Sequence, residues 1–234
     1  MTSFSFYIEI ALPFFKMSLH AYSNEELNFL KFASIVLNEF PKALRHVFID
    51  MWNKRIASIP GYQPWDNSTA VRNMFFIREI PKTHIPTSSS FQDWDCTALI
   101  QATLYARTFA LLDSMGNIKT LGELYVRNRK PIPGPFHSPV VSSSGDPDET
   151  IALAIDQLRL LRNTYCHSSN SLITKVTFDD YVKHAKEAFT AVNFSTTSID
   201  AIANLAESDF LTAHQVQQLQ EKIVRLEDKF EEGL

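Results

Sequence analysis

Cysteine is scarce in this chain, with only Cys96 and Cys166 among 234 residues, and two thiols cannot make a disulfide framework. Neither falls in a CxxC pair or near other ligands at metal spacing, so no structural metal and no other cofactor is expected. Such cysteine use fits a reducing, cytoplasmic setting. Glycine is also sparse, at six residues, and none of them builds a Gly-rich phosphate loop, which counts against a nucleotide-binding bundle. No apolar run reaches the length that spans a bilayer, so no membrane partner is expected. Nor is there an excess of positive charge. The formal net charge is -4, so any RNA contact has to come from a local cationic patch.

What the chain does have is apolar and aromatic mass. It is 45% hydrophobic and 12% aromatic, with 18 Phe, which is enough for one substantial core and more than a disordered chain carries. The first twenty residues are rich in Phe and Ile. They hold no Lys or Arg before Lys16, place Glu9 inside the apolar run and lack a small-x-small cleavage site, all of which argue against a secretory signal. Met17 is an alternative start to Met1, and residues 1–22 read as an N-terminal extension.

Helix signals then follow in order. Ser23 and Glu26 form a capping box ahead of Leu27, Leu30, Ala33, Val36, Leu37 and Phe40. Pro41 predicts the opening of a second helix with an apolar face of Leu44, Val47, Phe48, Met51 and Trp52. Asn67 or Ser68 is a cap for a short helix through Ile80, and Pro81, Pro86 and Ser88 to Ser90 predict a loop. Asp93 or Asp95 starts a helix expected to run to Met115, apolar nearly all round, with Gly116 as a left-handed stop. Residues 117–145 read as an irregular, Pro- and Ser-rich, partly cationic excursion ending in a flexible loop. Asp146-Pro147-Asp148-Glu149 is a strong helix start, and Phe178, Tyr181, Val182, Ala185, Ala188, Phe189 and Val192 mark another helix. From Thr212 the spacing of Val216, Leu219, Ile223, Leu226 and Phe230 is a short heptad seam, which suits packing on its own domain, pairing with a second chain or docking into a larger signalling assembly. The expected units are an extension (1–22), a domain (23–194) and a helical tail (195–234).

The helix that starts at Asp146 carries Ile151, Ile155, Leu158, Arg162 and Tyr165 at steps of four and three, which puts a guanidinium on the seam. Such a group needs an anion or a hydrogen-bonding partner. It belongs to Arg162-Asn163-Thr164-Tyr165-Cys166-His167, a permanent cation and a proton-transfer group near a helix end. Metal-free RNA cleavage needs an acid, a base and a cation against the phosphorane, and His167 and Arg162 are the right types. On a continuous helix they lie about 140° apart, so one chain converges them poorly on a single phosphate. Arg127, Arg129 and Lys130 are candidate contacts to an RNA backbone, and a short cationic run of this kind also suits plain solvation. Arg162 and His167 equally suit a structural part at the helix end, an Arg with a carboxylate and a His favoured by the dipole.

Read together, Asn28 to Ala33, Phe40 to Arg45, Trp94 to Leu99, the Pro-rich excursion, the acidic helix start, Leu160 to Asn163 and His167 resemble the HEPN domain of the DAZ-interacting zinc-finger ubiquitin ligase family. This chain has Cys166 where that group usually has Gly. The resemblance implies an all-α, HEPN-like bundle with a long Pro/Ser-rich loop before the motif helix and a C-terminal heptad helix. It further implies a homodimer in which two Arg162/His167 pairs share one cleft, Asn163 orients them, and RNA is cut to 2',3'-cyclic phosphate ends without metal. A non-catalytic interaction module in immune or ubiquitin signalling is the alternative, and no zinc-binding array points to ligase activity.

Overall fold

A computed structural model describes residues 22–79, 90–127, 135–166 and 171–206. The extension, the loop through Pro81 and Pro86, and the heptad seam of the tail fall outside these ranges, apart from Tyr22 and Ser90. Among the described residues there are seven α-helices and one two-stranded hairpin. They are α1 (Asn24–Ser34), α2 (Phe40–Arg55), α3 (Thr69–Glu79), α4 (Cys96–Leu104), β1 (Leu111–Leu112), β2 (Ile118–Lys119), α5 (Pro147–Cys166), α6 (Lys175–Ala191) and α7 (Thr197–Ala203).

The caps form where local chemistry asks for them. Ser23 Oγ accepts from the Glu26 N–H at 3.1 Å, and Glu26 returns a carboxylate oxygen to the Ser23 N–H at 2.8 Å. Asp146 Oδ1 accepts from the Asp148 N–H at 2.8 Å, which leaves Pro147 in the first turn of α5, where its missing N–H is harmless. Pro41 stands in the first turn of α2, as its sequence position predicts, but no break precedes it. The chain passes from α1 to α2 through a π-helical turn at Ile35–Glu39, with the Phe40 N–H on the Ile35 carbonyl. Proline crowds the carbonyl four residues back, and the wider turn takes up that conflict without breaking the rod.

The core gathers on α2. Phe48 is fully buried and meets Trp52, Trp65, Phe75, Phe91, Trp94 and Phe109 at centroid distances of 4.6–6.4 Å, mostly edge to face. Helix α5 packs against α4, α6 and the π-helical turn at Gly122–Val126. Helix α7 buries Ile199 in the same core, and its Asp200 pairs with Lys186 at 2.7 Å, so the packing continues past residue 194, the expected domain edge.

The helix expected from Asp93 or Asp95 to Met115 is corrected by the fold. Asp95 caps it, but it ends at Leu104. Glu79, buried at the end of α3, accepts from the backbone N–H groups of Arg107 (3.0 Å) and Thr108 (2.7 Å) and from the Thr108 hydroxyl. A new 3-10 turn starts there, since those donors are claimed by another helix. Gly116, at φ +80°, turns the hairpin instead of stopping a helix, and Met115 is 84% exposed. The stretch expected to end in a flexible loop is likewise hydrogen-bonded at its close. Ser142 is buried, its N–H donates to Thr150 Oγ1 at 3.0 Å, and its hydroxyl meets Ser144 and Glu149.

Candidate functional site

The last two turns of α5 carry the motif. Arg162 and Asn163 are half-buried, Cys166 is exposed, and His167 lies outside the described residues. Arg162 Nη1 donates to Asn163 Oδ1 at 3.3 Å. Among the described residues no carboxylate pairs with this guanidinium, so the anion or neutral partner that the seam position demanded is an amide. Arg162 also acts on Cys96 at the start of α4. Burial and the charge of Asp95 push the Cys96 thiol up to about 12, against the opposing pull of Arg162 and Arg45. The buried thiol thus feels charges of both signs, Asp95 against Arg162 and Arg45, and its Sγ faces the Val36 carbonyl at 3.7 Å.

Arg127 sits elsewhere. It is exposed at the end of the π-helical turn and lines a depression of about 240 Å³ with Asp113, Lys119, Glu123 and Leu124, none of which belongs to α5. The Glu123 carboxyl is held below its ordinary range, first by the Thr120 N–H and also by the charges of Lys119 and Arg127. Here cations and carboxylates are interleaved, so the described part of the run is not a purely positive surface. Arg129 and Lys130 lie outside the described residues.

One constellation draws His137 from the 117–145 stretch, which the sequence shows only as an irregular excursion. Asp156 is 2% exposed and accepts from His137 Nε2 at 2.7 Å and from Arg159 Nε at 2.6 Å. Burial pushes the Asp156 carboxyl up, but the two hydrogen bonds and the charges of Arg159 and His137 outweigh it and hold the group below its ordinary range. An ionised Asp156 accepts only, which assigns the proton to Nε2 of the imidazole. Fully buried Gln157 takes the His137 backbone N–H at 2.9 Å. Phe136 then packs on Tyr181 and His184 of α6, at 5.7 and 4.9 Å. The imidazole pins this segment to α5, and the neighbouring Phe136 ring rests on α6. A carboxylate between buried Ile155 and Leu158 was the available signal, because such a group demands partners.

Among the described residues no group of His, Cys, Asp and Glu is arranged to hold a metal ion, and no helix is long and apolar enough to cross a membrane. Compared with known proteins, the chain matches no family model, no curated protein and no solved structure.

Proposed function

We propose that this chain is an HEPN-like bundle that binds RNA as a homodimer and cleaves it without a metal ion. The observation that carries the reading is Arg162, a half-buried guanidinium on the last turns of α5 whose described hydrogen-bonding partner is the neutral amide of Asn163. A cation fixed in place without a carboxylate keeps its planar donors for a phosphate. Asn163 holds the guanidinium and leaves its charge uncancelled.

In the proposed reaction the 2'-hydroxyl loses its proton to an imidazole and its oxygen attacks the adjacent phosphorus. The bond to the 5'-oxygen breaks, and that oxygen takes a proton from a second imidazole. His167 of each subunit supplies these two groups, and the Arg162 pair stabilises the phosphorane. Two subunits are invoked because the five-residue sequence spacing of Arg162 and His167 corresponds to about 140° on an ideal continuous helix, too wide for one chain to aim both at one phosphate. The products are a 2',3'-cyclic phosphate and a 5'-hydroxyl.

The test is cleavage of single-stranded RNA in EDTA by the wild-type chain and by the Arg162→Ala/His167→Ala variant. The double variant is expected to lose about 10²-fold or more of the rate at which cyclic-phosphate ends appear. Equal rates refute the proposal. They would favour a non-catalytic interaction module, the reading supported by Leu112, Met115 and Ile118, which stand 68%, 84% and 71% exposed on the hairpin.

A further inference from the structure

A cavity of about 150 Å³ lies between α1, the end of α5, the segment at 171–174 and the start of α6. Four aromatic rings wall it. Phe29 and Tyr165 lie 5.4 Å apart between centroids at 33°, and Phe32 and Tyr181 lie 4.8 Å apart at 39°. Thr164 and Thr177 add hydroxyls to the lining. Thr164 donates its proton to the Leu160 carbonyl at 3.0 Å and so faces the cavity as an acceptor, while the Thr177 hydroxyl shares a 2.9 Å bond with Thr174. The far wall is held in place, because the Ile173 N–H donates to the Glu25 carbonyl at 3.0 Å and Asn28 Nδ2 donates to the Ile173 carbonyl at 3.1 Å. Leu172 and Thr174 are exposed, so the cavity opens to solvent.

We infer that this cavity receives one unstacked pyrimidine base of a single-stranded RNA whose neighbouring phosphate is held by Arg162. Size selects the ring, since a void of roughly 150 Å³ holds a single six-membered ring such as benzene, and a fused purine overfills it. The walls select chemistry: aromatic faces attract any base, and hydroxyls answer its carbonyl and amino edges. Placement selects the polymer. Arg162 is not part of the lining, but it stands three residues before the lining Tyr165 on α5, so the two side chains start about 5–6 Å apart on one face, and the length of an arginine covers the step from there to a phosphate at the cavity mouth.

The inference rests on the RNA reading for the role of Arg162, while the cavity is testable without it. The full-length chain, with its tyrosine rings isotopically labelled, is titrated with uridine, adenosine, uridine 3'-monophosphate and a single-stranded uridine oligomer. Uridine is expected to move the ring resonances of Tyr165 and Tyr181, with adenosine at least fivefold weaker. The 3'-phosphate is expected to tighten binding about tenfold, a gain lost in Arg162→Ala. Thr177→Phe fills the cavity from its mouth and should weaken uridine at least tenfold at an unchanged melting temperature. Thr164→Leu, which narrows the cavity from α5, gives the same comparison should the first variant melt early. Absence of any uridine effect on the two tyrosines, retention of uridine affinity in a folded cavity-filled variant, or equal affinity for adenosine overturns the inference. Uridine binding that Arg162→Ala leaves unchanged, with no added strength from the phosphate, supports the cavity and counts against the RNA reading of Arg162.

Discussion

Replacing Asp156 with Asn removes a carboxylate that a guanidinium and an imidazole share inside the bundle, and the structure sets the size of the effect. Taking one member from a buried ion pair destabilises by about 3–5 kcal/mol, because the remaining charge stays desolvated. The Arg159 side chain is 32% exposed and that of His137 14%, so water screens part of what is left behind. The expected loss for Asp156→Asn is therefore about 2–3 kcal/mol at pH 7, seen as a fall of about 1–1.5 M in the urea midpoint for a denaturant slope near 2 kcal/mol per M. The pH dependence has a definite sign. The folded carboxyl titrates below its ordinary range, while the unfolded one titrates near about 3.9. The folded state thus gains from ionised Asp156 above about pH 5, and the gain disappears as pH falls through 4 and below. Measured at pH 7, 5 and 3.5, the gap between wild type and variant should hold between the first two and then narrow. Repeating the series in a His137→Gln background takes the imidazole out of the titration and isolates the pairing with Arg159. A gap under about 0.5 kcal/mol at pH 7, or one that stays constant down to pH 3.5, would falsify this account of the pin.

Thiol counting tests the surroundings of Arg162. Burial pushes Cys96 up to about 12, whereas Cys166 is exposed, so at pH 8 a disulfide reagent should titrate one thiol in the native chain and two in denaturant; two fast thiols in the native state would show that Cys96 is not sealed. Glu79→Ala strips the buried acceptor from Arg107 and Thr108, with an expected loss of about 1–3 kcal/mol and faster amide exchange confined to residues 107–109. Unchanged exchange there would mean that this carboxylate does not hold the turn.

The helix starts at Asn24, Cys96 and Pro147 were legible because a cap is a local device, in which a side chain answers an N–H two or three residues away. The apolar positions of α2 and α6 were legible for the same reason, since 3.6-residue periodicity is written into the chain. Where α4 stops was not. Ala106 to Met115 carries no internal breaker, and a helix there is reasonable until Glu79 claims its backbone donors from another element. The π-helical passage before Pro41 was hidden too, because only a packed rod makes continuation preferable to a break.

The sequence by itself determined the class of the molecule, helical with one aromatic core, and put Arg162 and Asn163 together near the end of a long apolar helix. Adjacency and periodicity are enough for that. Only the tertiary structure decided that His137 pins to Asp156 and that Phe29, Phe32, Tyr165 and Tyr181 enclose a space of about 150 Å³. Those outcomes depend on which distant groups the packing brings within hydrogen-bonding or van der Waals range, and no local rule encodes such a meeting.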